Sequence, residues 1–209
     1  MTLELGILIS GRGSNLQAIL DAVERGALDA RVRVVISNRA DAPGLTRAAQ
    51  ARIPTATIAH RDYSSREAFD AALVEALRGA GAELIVLAGF MRVLTPVMIG
   101  AYHDRIINIH PSLLPAFPGA HAHRDALAYG VKVSGCTVHF VDEGTDTGPI
   151  IRQRAVPVLD DDDEERLAAR VLAVEHALLV EALAAMAEGR VSVEPGDGDR
   201  RARVVERRG

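Results

Sequence analysis

The chain has 209 residues, of which 48% are hydrophobic and 25% charged, so it can bury a full core and is expected to form one domain. Its formal net charge of -4 at pH 7 argues against a surface that binds nucleic acid. Its apolar runs are only strand-length and its amino terminus lacks a cationic region, so we expect neither a membrane span nor a signal peptide. Cys136 is its one cysteine, which excludes an internal disulfide and a cysteine zinc site. Together these features favour a cytoplasmic protein.

Apolar runs alternate with amphipathic stretches along the chain. The runs predict strands at 5–10, 32–37, 54–58, 83–88, 105–109, 132–141 and 149–156. The amphipathic stretches predict helices at 14–24, from the turn 38–43 to about 52, at 64–78, briefly from 96, at 121–129 and at 163–188.

This order of elements predicts an α/β fold. Strong early βαβ units indicate a single-domain, mostly parallel twisted sheet of Rossmann-like type, with helices on both faces and mixed at the C-terminal strands. We assign residues 1–193 to this domain. Residues 194–209 form a polar, Arg-rich tail, in which 202–205 could add an edge strand.

The turn after the first strand has the composition of an anion site. Ser14 can cap the following helix, and Gly13, Ser14 and Asn15 form a turn whose N–H groups and helix dipole suit a phosphate monoester. The dinucleotide fingerprint requires a third glycine where Leu16 stands, and no Gly-Lys-Ser/Thr is present, so neither nucleotide motif applies. A plain strand-to-helix turn remains the alternative.

The fifth predicted strand, 105–109, is followed by the most informative polar pair. Pro111 cannot extend a sheet, so the chain leaves it there. Asn108 and His110 are two residues apart and therefore face the same side at the carboxyl end of the strand, where open α/β sheets bind ligands. Asn can donate to a developing oxyanion, and His can move a proton near neutral pH. A buried pair that only ties down a loop is the alternative.

Two loops could complete a site around this pair. The segment 89–94 follows a strand and mixes apolar side chains with backbone donors, which fits one wall of a pocket for a flat aromatic ligand and fits ordinary core equally well. Asp146 lies in a Gly-, Asp- and Thr-rich loop between the last two strands. Asp146 is either a residue that merely favours the turn conformation or the carboxylate that holds a His110 imidazolium.

Four histidines raise the question of a metal site. His121 and His123 form an H-x-H pair, to which His110 and His139 could add. Because the pattern lacks a flanking carboxylate at ligand spacing, we expect no metal.

Glu175 is an anomaly in the last predicted helix. At about 100° per residue it falls in the middle of one broad apolar face, and an unpaired carboxylate there would cost several kcal/mol. Two readings stay open: a buried ion pair with an arginine, or a carboxylate that faces an amine-bearing ligand. The apolar face consists of Leu167, Val171, Val174, Leu178, Leu179, Leu183 and Met186.

These residues together resemble the phosphoribosylglycinamide formyltransferase family. The matching stretches follow the family's order through about nine-tenths of the chain, and the Asn-x-His-Pro-Ser-Leu-Leu-Pro run marks the wider formyltransferase superfamily. The stretches are 9–17, 65–67, 87–92, 108–115, Pro118-Gly119 with His121 and His123, 139–141 with Asp146, and Glu175-His176.

The resemblance implies a role for each matching residue. The implied catalytic trio is Asn108, His110 and Asp146. The implied ribonucleotide contacts are Gly13, Ser14 and Asn15 for the phosphate and Glu175 for the ribose. The implied folate contacts are Arg66, Met91, Arg92, Val93, Leu94, Asn108, Val141 and Asp142. The segment 141–146, to which the last two belong, is implied to close on the pterin.

The resemblance also implies a reaction. The amine of glycinamide ribonucleotide attacks the formyl carbon of 10-formyltetrahydrofolate, the formyl-donor co-substrate, while Asn108 and protonated His110 stabilise the oxyanion and Asp146 supports the imidazolium. Small molecules are the implied partners, with no metal, nucleic acid or membrane, and a homodimer stays open. Two positions depart from the pattern: Arg12 in the turn, and Leu172, where a longer polar group is expected.

Two other classes remain. The sister enzymes 10-formyltetrahydrofolate hydrolase and methionyl-tRNA formyltransferase would share the Asn-His-Asp chemistry, but each carries an additional domain for which this chain has no room. A non-enzymatic nucleotide-binding module would need the phosphate turn but would have no use for Asn108 together with His110.

Overall fold

The computed structural model describes residues 1–197 and 201–207. The strands are β1 Leu3–Ile9, β2 Ala30–Ser37, β3 Thr55–Thr57, β4 Leu84–Leu87, β5 Ile106–His110, β6 Val133–Phe140, β7 Ile150–Pro157, β8 Val191–Glu194 and β9 Arg203–Glu206. The helices are α1 Ser14–Glu24, α2 Pro43–Gln50, α3 Arg66–Gly79, α4 Pro96–Ala101, α5 Ala122–Tyr129 and α6 Glu164–Ala187.

Seven strands form one sheet in the order β3-β2-β1-β4-β5-β6-β7. Neighbours from β3 to β5 are parallel, whereas β6 runs antiparallel to β5 and β7 antiparallel to β6. The predicted fold class, mostly parallel and mixed at the C-terminal strands, is confirmed. Because the strand order reverses beside β1, the carboxyl ends of β1 and β4 flank the crevice in which such sheets bind ligands.

The hydrophobic core lies on both faces of the sheet. On β1, Ile7 and Ile9 face the layer that contains α1 and α6, whereas Leu8 faces the layer that contains α3 and α4. This alternation follows from the period of two in a strand. Apolar side chains at nearly every position of β1 and β4 are therefore buried on both sides, as expected for central parallel strands.

Three details differ from the sequence predictions. Ser14 is the first residue of α1 rather than its cap; the cap is Gly13, in the left-handed conformation with φ 71°. A short 3-10 helix at His60–Asp62 was not predicted. Residues 203–206 do form a strand, but it pairs with β8 in a separate two-stranded sheet instead of adding an edge to the main one.

Charge pairs attach this β8–β9 hairpin to the main sheet. The Glu206 carboxylate accepts hydrogen bonds from Arg152 in β7 and from Arg190 just before β8. A hairpin of two short strands needs such outside support to be stable. Residues 198–200 and 208–209 of the predicted tail lie outside the described residues. Of the helices in the described ranges, none has the length and apolar character needed to cross a membrane.

Asp70 in α3 is expected to stabilise the loop that follows β4. Its side chain is buried, and Oδ2 accepts hydrogen bonds from the Thr95 backbone N–H at 2.6 Å and the Thr95 hydroxyl at 2.8 Å. Asp70→Ala would leave both donors without this acceptor, so we expect the free energy of unfolding to fall by about 3 kcal/mol in urea titrations. The control Glu75→Ala, exposed on the same helix, should change it little. Equal effects of the two variants would contradict this role.

Candidate active site

A cavity of about 290 Å³ opens at the carboxyl ends of β4 and β5. Its walls are the segment after β4, the end of β5, the 119–120 turn and the loop after β6. Most of the residues that the sequence associates with folate and catalysis line this one cavity. They are Met91, Arg92, Val93, Leu94, Asn108, His110, Val141, Asp142 and Asp146.

His110 is the last residue of β5, and its side chain is only 5% exposed. Its Nε2 lies 2.9 Å from the Phe117 carbonyl oxygen, and its Nδ1 lies 3.4 Å from Asp146 Oδ2. A carbonyl oxygen can only accept, so Nε2 carries the proton in that contact. Because the second nitrogen faces a carboxylate, an imidazolium at this position has an acceptor for each of its two N–H groups.

Asp146, in the loop after β6, is held in place by its backbone conformation and by a hydrogen bond from the 119–120 turn. Its backbone has φ 55°, a conformation that Asp tolerates better than most residues. The Gly119 N–H donates to its Oδ2 at 2.8 Å. In the same loop, Asp142 Oδ1 accepts from the Gly144 N–H at 3.1 Å and the Thr147 hydroxyl at 2.6 Å. Asp146 therefore faces the imidazole from across the site, whereas the Asp142 carboxylate shapes the loop.

His139 joins the site, although the sequence offered it only as one of four scattered histidines. It lies directly opposite Asn108 in the β5–β6 ladder. Its Nδ1 donates to the Phe140 carbonyl oxygen at 2.8 Å, so its Nε2 can accept from Asn108 Nδ2 at 3.2 Å. Burial lowers the pKa of His139, which favours this neutral form. Asn108 is thus held by one amide N–H, and its second N–H remains for a ligand.

The other histidines do not join this cluster. His121 caps α5 and is exposed, and neither it nor His123 lines the cavity. Among the described residues, no three His, Cys, Asp or Glu side chains are placed to hold a metal ion. The absence of a metal from the reaction stays a prediction. Burial raises the pKa of the Cys136 thiol to about 12, so this residue is not a thiolate nucleophile.

The segment 89–94 divides between core and cavity. Phe90 and Leu94 are buried, but the side chains of Met91 and Val93 are 75% and 55% exposed. The reading as ordinary core is therefore wrong for Met91 and Val93, which present an apolar wall. Arg66 does not line the cavity; it begins α3 and donates to the Val93 carbonyl oxygen at 2.8 Å.

Ser10 connects this wall to the turn after β1. Its N–H donates to the Gly89 carbonyl oxygen at 3.0 Å, and its hydroxyl accepts from the Met91 N–H at 2.9 Å. The cavity and the turn are therefore neighbours at the point where the strand order reverses.

The turn after β1 presents free backbone donors, as the predicted anion site requires. The first backbone bond within α1 runs from the Gln17 N–H to the Gly13 carbonyl at 2.9 Å, so the N–H groups of Ser14, Asn15 and Leu16 have no acceptor inside the helix.

Arg47 of α2 adds positive charge beside this turn. Its Nε donates to the Arg12 carbonyl oxygen at 2.9 Å, and its Nη1 donates to Gln17 Oε1 at 3.2 Å. This neighbour could not be predicted from the sequence, because no motif spacing links α2 to the turn.

Glu175 is buried as its place on the apolar face of α6 implies, with 7% exposure. Its partner is Asn15, whose Nδ2 donates to Oε2 at 3.0 Å. The reading as an ion pair with an arginine is therefore wrong for the described part of the chain, where no salt bridge includes this carboxylate. Burial raises the pKa of Glu175, and the hydrogen bond from Asn15 opposes that rise.

Comparison with known proteins places this site in context. The formyl transferase family matches residues 4–183. A phosphoribosylglycinamide formyltransferase of Escherichia coli K12 is 46% identical over 187 residues, covering 90% of this chain and 88% of that protein. The crystal structure of glycinamide ribonucleotide transformylase 1 from Symbiobacterium toebii has a TM-score of 0.93 and 53% identity, and the match covers 98% of this chain and 95% of that one.

Some relatives are much longer. The trifunctional purine biosynthetic protein adenosine-3 of Drosophila melanogaster is 51% identical over 193 residues, which is 91% of this chain but 14% of that protein. This chain therefore spans about one seventh of the length of such relatives.

Replacing Gly13 tests the anion site. Its φ of +71° strains any other residue, and a Cβ there would lie 2.7 Å from the Gly44 backbone Cα. We expect Gly13→Ala to weaken the binding of inorganic phosphate, measured by calorimetry, by at least about tenfold, because the N–H groups move. Gly11→Ala is the matched control, since a Cβ at Gly11 meets nothing within 4 Å. Equal phosphate affinity in the two variants would place the anion elsewhere.

Proposed function

The chain belongs to the formyl transferase family, and we propose that it transfers the formyl group of 10-formyltetrahydrofolate to the amine of N1-(5-phospho-D-ribosyl)glycinamide. The products are N2-formyl-N1-(5-phospho-D-ribosyl)glycinamide and tetrahydrofolate, in purine biosynthesis. The observation that carries the proposal is the convergence of Asn108, His110 and Asp146 in one cavity, with the carboxylate 3.4 Å from the imidazole.

The proposed chemistry begins when the substrate amine attacks the formyl carbon and the formyl oxygen becomes an oxyanion. The free N–H of the Asn108 amide donates to that oxygen, and its other N–H stays on His139. The imidazolium of His110 supplies the second donor if its Nε2 exchanges the Phe117 carbonyl for the oxyanion. Asp146 stabilises the cation through Nδ1.

The intermediate then collapses with a proton transfer. The attacking amine loses a proton, the bond between the formyl carbon and the folate nitrogen breaks, and that nitrogen takes up a proton as tetrahydrofolate leaves. The His110 imidazolium gives its Nε2 proton to the departing folate nitrogen, and the neutral imidazole then takes up the proton that the attacking amine loses. No step requires a metal ion, and the cytoplasmic location and the oligomeric state stay predictions.

The two substrates are assigned to the two halves of the crevice. The ribonucleotide phosphate is proposed to bind at Gly13, Ser14 and Asn15, with the ribose near Glu175. The folate is proposed to lie along the apolar wall at 91–94 and under the 141–146 loop. Arg66 would then act through the Val93 carbonyl that it holds, while the backbone of Asp142 is left for the ligand because its carboxylate serves the loop.

A single assay separates this function from the alternatives. Tetrahydrofolate release is followed by absorbance with and without glycinamide ribonucleotide. Release only with the ribonucleotide supports formyl transfer; release without it indicates a hydrolase; release in neither case indicates a binding module.

Removing the imidazole should abolish most of the activity. We expect His110→Ala and Asp146→Asn to lower kcat by about 10²–10⁴, the usual contribution of a positioned acid/base system, with both variants folded by circular dichroism. His103→Ala, at a surface histidine that pairs with the neighbouring Asp104, serves as the control and should retain wild-type kcat. The mechanism is wrong if His110→Ala keeps more than about a tenth of the activity.

The role of Glu175 is tested by steady-state kinetics of Glu175→Gln. The amide oxygen can still accept from Asn15, so the fold should persist, but the charge that favours ribose hydroxyl donors is lost. We expect KM for the ribonucleotide to rise about tenfold with KM for folate unchanged. Glu165→Gln, exposed near the start of α6, is the control. A lower melting temperature with an unaltered KM would show that Glu175 is structural only.

A further inference from the structure

One buried hydrogen bond connects α1 to α6. Asn15 Nδ2 donates to Glu175 Oε2 at 3.0 Å, across 160 residues of sequence. Both residues are more than nine-tenths buried, with 8% and 7% exposure. A buried carboxylate that lacks a cationic partner depends on each hydrogen bond that it accepts.

The two oxygens of Glu175 are in different situations. Oε2 accepts the Asn15 amide. Within the described ranges Oε1 accepts no hydrogen bond from the protein, yet it is not among the side-chain atoms sealed from solvent without a partner. Oε1 is therefore the oxygen available to a ligand, and Oε2 is the oxygen that the protein uses to orient the group.

The orientation of the Asn15 amide indicates which form of Glu175 it favours. Its Nδ2–H donates to the carboxylate, whereas its Oδ1 is buried and has no partner among the described residues. The reverse orientation would set two acceptor oxygens against each other unless Glu175 were protonated. An N–H donor selects the charged carboxylate.

We propose that Asn15 is a positioning residue, whose side-chain amide keeps the Glu175 carboxylate ionised and aimed at the sugar hydroxyls of the bound ribonucleotide. This inference rests on the proposed function. The backbone N–H of Asn15 belongs to the phosphate turn, so the same residue serves the phosphate through its backbone and the ribose through its side chain. The two ends of the ribonucleotide are then recognised as one unit.

The surroundings of Glu175 contain few other groups that could control its charge. On β6, the thiol of Cys136 is close enough to respond to the Glu175 charge. On β7, Arg154 pairs with Glu181. On α1, Asp21 acts on His176 rather than on Glu175. Burial raises the pKa of Glu175, and among the described residues the hydrogen bond from the Asn15 amide opposes that rise.

Two substitutions of Asn15 test the proposal. Asn15→Ala removes the donor and keeps a good helix former, and Asn15→Asp keeps the shape but places a second carboxyl group beside the first. We expect each variant to raise KM for the ribonucleotide about tenfold at neutral pH, with KM for folate little changed. Because the pKa of Glu175 should rise further in both, the acid-side loss of ribonucleotide affinity should begin at a higher pH, and most so in Asn15→Asp.

Carbon-13 NMR of the Glu175 carboxyl group gives a readout that needs no substrate. Its titration should lie at higher pH in Asn15→Ala than in the wild type. Asn38→Ala is the matched control, because Asn38 is also a buried amide whose Oδ1 has no partner in the described part of the chain, and its Nδ2 instead faces His60. It should lower the melting temperature comparably and leave the Glu175 titration in place.

The outcomes separate this inference from the proposed function. An Asn15→Ala titration that coincides with the wild type, or a KM that rises equally at all pH values, would overturn the positioning role while formyl transfer still stood. If the wild type does not formylate the ribonucleotide, the proposed function fails, and the carboxyl titration still decides whether Asn15 controls the charge of Glu175.

Discussion

The antiparallel pairing of β5 with β6 is the constraint on which the site depends. In this register Asn108 lies opposite His139, so the backbone ladder itself brings amide and imidazole together. The same ladder starts the loop after β6 where Asp146 can face His110. A slip of one residue would turn Asn108 and His110 to the opposite face of the sheet, among the apolar side chains that pack against α6. The relative position of the proposed catalytic residues therefore depends on strand register.

The sequence predicts the parts of this site that follow from local periodicity. Alternation along β5 places Asn108 and His110 on one side, and the helical period of α6 places Glu175 among apolar residues before any contact is known. For Asp146 the residue pattern leaves a turn residue and a partner of His110 both open, and the family resemblance favours the second. Nearly all strands and helices follow from the same periodic signals, because long apolar runs and amphipathic stretches are strong along this chain.

The remaining features arise from contacts between distant segments. His139 is recognisable only once the register with β5 is known, and Arg47 only once α2 packs beside the turn. The 203–206 strand pairs with β8, and Glu206 attaches the pair to the main sheet through Arg152 and Arg190, contacts that no local pattern encodes. Arg66 shows the same dependence, since only the packed structure reveals that it supports the backbone of the cavity wall through the Val93 carbonyl. Residue type indicates which chemistry a side chain can perform, whereas tertiary packing determines which side chains lie at the site.

The close approach of Gly13 and Gly44 limits how this chain can change. A Cβ on Gly13 would lie 2.7 Å from the Gly44 Cα, and a Cβ on Gly44 would lie 2.5 Å from Ile9 Cδ1 and 3.2 Å from the Gly13 Cα. Each glycine occupies the space into which a side chain on the other would grow, and main-chain atoms cannot be trimmed to make room. A second substitution at one of these positions therefore cannot compensate for a side chain added at the other. A redesign of the turn at Gly13 has to rebuild the end of β1, the start of α1 and the first turn of α2 together.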